Sequence, residues 1–116
     1  MGLLEVLQEL GMDEDELLCR FSQSRPLIEK FMRKFAEAPT CHSLAEAVTA
    51  GDGDAAFYAS HTLKGVSANL GFSRLFSLTS QMAEHLRSGD SSQMQQNFNA
   101  VAHEYSRIAQ RLSKLT

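Results

Sequence analysis

MQQNFNAVAHEYSRIAQRLSKL, residues 94–115, decides the fold class. Met94, Phe98, Val101, Tyr105, Ile108, Leu112 and Leu115 follow one another at steps of 4, 3, 4, 3, 4 and 3. That rhythm puts all seven on one side of an α-helix, while a strand would need alternation. A seam of this kind is buried by packing against other helices. Working back from it, "SGDSS" at residues 88–92 is a turn, and Leu75, Leu78, Met82 and Leu86 mark a helix over about 72–87. Gly71 is a stop ahead of it.

The rest of the chain has the same character. Leucine occurs 15 times against 6 for valine and isoleucine together, which favours helix over strand. A short amphipathic helix fits residues 3–10, ended by Gly11. Asp13 caps a second over 14–21, with Glu16 placed for a capping box. Ser24 ahead of Arg25 and Pro26 starts a third, which buries Leu27, Ile28, Phe31, Met32 and Phe35 and stops near Ala38, before Pro39. Thr40 caps a helix over 41–50 with Leu44, Ala47 and Val48 inward. Gly51 ends it, and Asp52 or Asp54 caps a long helix running to about Leu70. The expectation is an all-α chain, an up-down-up-down four-helix bundle with short additional N-terminal helices. Residues 1–116 read as one domain, with the short helices in 1–22 and the bundle in 24–115.

Composition narrows the function. Of 116 residues, 43% are hydrophobic and 22% charged, a globular balance. The formal net charge of −3 leaves no basic surplus for phosphate backbones, so nucleic acid is not an expected partner. No apolar run is long enough to cross a bilayer, and the N-terminus lacks the basic start of a signal peptide, so a cytoplasmic chain without membrane insertion is expected. Cys19 and Cys41 form no CxxC pair and fit free thiols. His42, His61, His85 and His103 include no pair at i, i+4, so no metal site is expected. "GDGD" at residues 51–54 lacks the ligands of a calcium loop. No Gly-rich nucleotide loop is present, so ATP is not expected to bind.

One helix departs from ordinary surface composition. On a wheel over 54–70, Ala56, Ala59, Leu63, Val66 and Leu70 fall on one stripe, the expected core face. His61 then points outward, with Gly65 beside it and Phe57, Tyr58, Lys64 and Ala68 around. Solvated helix faces usually carry Glu, Lys, Gln and Arg. Here small residues leave room for a partner's backbone, and aromatics offer it an apolar rim. Gly65 in a helix interior costs about 1 kcal/mol against alanine, which clearance around His61 would explain. A neutral imidazole nitrogen is a nucleophile. Lys64, at i+3, is placed to stabilise an anionic group on it.

His61-Thr62-Leu63-Lys64-Gly65 followed by Ala68-Asn69-Leu70-Gly71 resembles the HxxKG…G signature of histidine phosphotransfer (HPt) domains. "AGD" at 50–52 and "RPLIEKFMRKFAEAP" at 25–39 are similar to that family's pattern as well. The resemblance covers about residues 10–110. It implies a phosphocarrier of two-component phosphorelays, not an enzyme with its own turnover. His61 would be the phosphoacceptor, Lys64 the phosphate-stabilising cation and Gly65 the clearance residue, with Phe57, Tyr58 and Ala68 at the docking face. Partners would be receiver domains of response regulators or hybrid kinases. These would bring the aspartate and the Mg²⁺, with no cofactor bound by this chain. A monomer is expected. The sequence departs from the pattern at two places. Ser60 stands where alanine is frequent, and Ala83, between Gln81 and Glu84 in reach, stands where relatives hold the ring with Gln or Glu. No ring-orienting residue is assigned. The alternative from another class is a non-catalytic helical interaction module.

Overall fold

A computed structural model describes residues 2–38 and 40–115. Among these residues there are seven helices and no strand. They are α1 (Leu3–Glu9), α2 (Glu14–Arg20), α3 (Arg25–Glu37), α4 (Thr40–Ala50), α5 (Gly53–Leu70), α6 (Ser73–Arg87) and α7 (Met94–Leu112). Each helix expected from the sequence is present.

The starts and stops have local causes. Asp13 accepts a hydrogen bond from the Asp15 N–H at 2.9 Å, and Ser24 one from the Leu27 N–H at 3.3 Å. Asp52 accepts from the Ala55 N–H at 3.1 Å, which makes it the cap of α5. Thr40 lies inside α4 rather than capping it, so that helix begins one residue earlier than expected. Pro39 is outside the described residues. Gly51 ends α4 in the left-handed conformation, φ 68°. The N–H of Asp52 then reaches back to the Ala47 carbonyl at 2.9 Å, and that of Gly51 to Val48 at 3.1 Å. Gly71, φ 81°, ends α5 with the same pair of bonds, Phe72 to Ser67 at 2.9 Å and Gly71 to Ala68 at 3.3 Å. These are Schellman closures, and they reverse the chain within two residues.

Contacts cluster into two compact units. One contains α1, α2, α3 and the turns of α7 from Ser106 on. In it, Val6, Leu7, Leu17, Ile28, Met32 and Phe35 are buried, and Phe21 packs on Phe31 with ring centroids 5.5 Å apart. Leu27 and Phe31, expected inside, are half-buried. Arg25 donates to the Glu14 carboxylate at 2.7 Å, and Lys114 lies 3.6 Å from Glu9.

The other unit holds α4, α5, α6 and α7 up to Tyr105. Its helices alternate in direction. Thr40 and Ser43 of α4 face Thr62 and Ala59 of α5 across one groove. Lys64 of α5 lies over Phe76 of α6. Arg74 near the start of α6 pairs with Glu104 at 3.6 Å, while Asn97 Oδ1 accepts from His85 Nδ1–H near its end at 3.0 Å. Lys64 in the later half of α5 meets Phe76 near the start of α6, and His85 near the end of α6 meets Asn97 near the start of α7, as antiparallel neighbours require.

The core lines of α5 and α6 differ from those the apolar pattern gave. On α5 the buried residues are Ala56, Ser60, Leu63, Ser67 and Leu70, with Ala59 and Val66 only half-buried. On α6 Thr79 is buried where Leu78 was expected, and Leu78 and Leu86 are half-buried. The cause is the helix itself. Ser60 Oγ donates to the Phe57 carbonyl at 3.0 Å, Ser67 Oγ to Leu63 at 2.7 Å and Thr79 Oγ1 to Leu75 at 2.7 Å. A hydroxyl paired with its own backbone can be buried without leaving a polar group unsatisfied. On α7, Val101, Ile108 and Leu112 are buried as the seam requires, whereas Tyr105 is half-buried and Glu104 takes a buried place.

Left-handed Gly51 has open space around it, so only its backbone resists a side chain there. Gly51→Ala is expected to lower stability by about 1–2 kcal/mol. The urea midpoint should fall while the slope of the transition stays the same.

Candidate functional site

The burial of Ser60 and Ser67 sets the rotation of α5. Relative to the line drawn from apolar residues alone, the buried line is turned by about 40° at 100° per residue. Gly65 then points most directly away from the core. His61 is also exposed, on the flank that leads toward α6. Tyr58, 70% exposed, lies on the opposite flank, at the groove it shares with Thr40, Ser43, Ala55, Ala59 and Thr62 of α4 and α5.

The His61 ring meets that of Phe57, one turn earlier. The two rings are nearly parallel, with centroids 5.8 Å apart and planes at 14°. Tyr58 meets Phe57 edge-on, at 5.8 Å and 70°. Neither ring nitrogen of His61 has a hydrogen-bond partner among the described residues. At Gly65 an added Cβ would meet nothing within 4 Å. Its neighbourhood is open, so packing within the chain gives no reason for a glycine there. Ala68, one turn beyond Lys64, is exposed as well.

Lys64 is half-buried, and its Nζ stands 5.9 Å from the centre of the Phe76 ring, within cation–π range. Phe76 is itself 38% exposed. The Lys64 charge also acts on Glu84 of α6. Phe76 carried no signal in the sequence, and Glu84 came into view only through the resemblance, since both depend on how α6 registers against α5. Ala83 is buried and has no polar atom to offer a ring. Gln81 is exposed, and Glu84 accepts two hydrogen bonds from Arg87, at 2.6 Å and 3.2 Å. Those bonds hold the Glu84 carboxyl below its usual range, with the Arg87 charge adding to the effect.

The other histidines have separate surroundings. His42 lies 2.7 Å from Glu46, His85 is bonded to Asn97, and His103 is exposed. No three His, Cys, Asp or Glu side chains gather into a metal-binding group among the described residues. Cys19 and Cys41 are free thiols. No helix of the described residues is long and apolar enough to cross a membrane.

The described residues are all-helical and expose a histidine in the middle of a long helix, with a lysine and a glycine one turn on. Comparison with known families gives the class its name. The Hpt domain model matches residues 27–111 of the 116, from α3 into α7, and the chain belongs to the Hpt domain family. It is a histidine phosphotransfer module of phosphorelays, and its all-helical architecture agrees with the helical bundle of that family. Hpt domains are phosphocarriers that interact with receiver domains. Neither the curated proteins nor the solved structures yielded a match.

Because the carboxyl of Glu84 is lowered in the folded chain, its bond to Arg87 contributes above the ordinary carboxylate pKa. The contribution is lost as pH falls through the depressed folded value. An NMR titration of the Glu84 carboxyl carbon should therefore give a midpoint below that of free glutamate. Arg87→Ala should bring the midpoint back up.

Proposed function

We propose that residues 1–116 act as one phosphotransfer domain in which His61 carries the phosphoryl group between receiver domains. A nitrogen lone pair of neutral His61 attacks the phosphorus of a receiver's aspartyl phosphate. The N–P bond forms, the bond from phosphorus to the aspartyl oxygen breaks, and the carboxylate leaves with the electron pair. The reverse step delivers the group to a second receiver. The observation that carries this reading is an exposed His61 with unpartnered ring nitrogens inside the matched region.

The neighbours support it. Lys64 Nζ lies on the α6 flank, toward which His61 leans, and its ammonium would offset the charge of a phosphoryl group there. The open ground over Gly65 gives an incoming domain a place to approach. Phe57, Tyr58 and Ala68 would form its docking rim, and exposed Phe76 extends that rim onto α6. The Mg²⁺ that neutralises the transferring group would come with the receiver's acidic pocket, and this chain would bind no cofactor. The domain is proposed to act as a monomer, without ATP and without turnover of its own substrate.

The test is transfer from a panel of phosphorylated receiver domains with Mg²⁺. Acid-labile, alkali-stable label is expected on the wild type and absent from His61→Gln. Lys64→Ala should slow transfer or shorten the life of the phosphohistidine, by about tenfold if one charge-assisted contact is lost. Gly65→Gln should weaken docking. Label on both wild type and His61→Gln would move the nucleophile elsewhere. No label from any donor, with the fold intact, would favour a helical interaction module.

A further inference from the structure

Phe57 is half-buried and His61 exposed, so the phenyl ring is the anchored member of the stack. Their separation of 5.8 Å and angle of 14° fall within the range of offset-stacked aromatic pairs. On the opposite side along the helix, at i+4, Gly65 offers no side chain. The imidazole is therefore flanked by an aromatic ring on one side and by open space on the other. Nothing else among the described residues holds it: its nitrogens have no partner, Ala83 is apolar, and Glu84 is taken up by Arg87.

We infer that Phe57 is a positioning residue for His61, fixing the imidazole through its face so that both ring nitrogens stay open at its edge. The inference rests on His61 as the phosphoacceptor. The lone pair that attacks phosphorus lies in the plane of the ring. A neighbour that hydrogen-bonds to the ring's edge occupies one nitrogen, whereas a neighbour that stacks occupies neither. A ring already fixed on its phenyl support gives up less rotational freedom on reaching the transition state. This role differs from docking. A docking residue changes the concentration at which the partner saturates, and a positioning residue changes the rate once the partner is bound.

The experiment uses the full chain as wild type, Phe57→Leu and Phe57→Tyr. The phosphodonor is a receiver domain phosphorylated on its aspartate with acetyl phosphate, chosen as the one that labels the wild type fastest. Single-turnover transfer is followed over a range of receiver concentrations. The ring-proton NMR signals of His61 are assigned by their loss in His61→Gln. Phe57→Leu is expected to lower the saturating rate about 2- to 10-fold, the worth of one aromatic pair, whatever its place in the docking rim adds to the half-saturating concentration. It should also remove a ring-current shift from the His61 signals, and Phe57→Tyr should restore both. Unchanged transfer, or a rise in the half-saturating concentration alone, would overturn the inference while leaving His61 as acceptor. Absence of the ring-current shift in the wild type would overturn it by a measurement that needs no transfer. Failure of every receiver to label the wild type, with the shift present, would overturn the acceptor reading and this inference with it.

Discussion

A hydroxyl group can enter a helical core only if its hydrogen bond goes in with it. Ser60, Ser67 and Thr79 meet that condition by bonding to carbonyls three or four residues back. The arrangement at the surface follows from this. Because Ser60 and Ser67 share the inward line with Ala56, Leu63 and Leu70, α5 has one rotation about its axis and His61 one direction. Had Ala59 and Val66 been the buried residues, His61 would point squarely away from the core, and Lys64 would be turned from Phe76 by about 40°. A change at either serine that lost its backbone bond would thus be felt at the histidine without touching it.

The same effect marks the boundary of what the sequence makes legible. Helix ends are local events, and Asp13, Ser24, Asp52, Gly51 and Gly71 announce them because each acts on backbone groups a few residues away. The histidine, lysine and glycine of α5 are legible for a similar reason, since their spacing on a helix is fixed by the helix. Burial is less local. A pattern that counts serine and threonine as polar rotates α5 and misplaces the core line of α6. It also leaves Glu104 outside, although Arg74 of another helix meets it in a buried position. Phe76 beside Lys64 is hidden for the same cause, and Glu84 came into view only by resemblance. Phe76 and Glu84 belong to α6, and only the packing of α5 against α6 brings them near.

Charge around the site is arranged asymmetrically. On the α6 side stand the Lys64 ammonium, an aromatic face against it and a carboxylate already bonded to Arg87. On the α4 side stand Tyr58, alanines and the hydroxyl residues of a shallow groove. A partner with acidic groups would find its complement on one flank and neutral, small side chains on the other. That gives its approach an orientation, since electrostatic complementarity guides encounter more than it adds to affinity.

The two glycine closures carry a consequence for the electric field. They confine α5 to residues 53–70, and His61 falls close to the middle, more than two turns from either end. The partial charges of a helix's termini act over little more than its first and last turns. At His61 the positive pole of the helix and the negative pole are both out of range. Any charge the imidazole comes to hold is therefore answered by side chains and by solvent, not by the backbone. Its tuning can change one residue at a time, with no helix lengthened, shortened or moved.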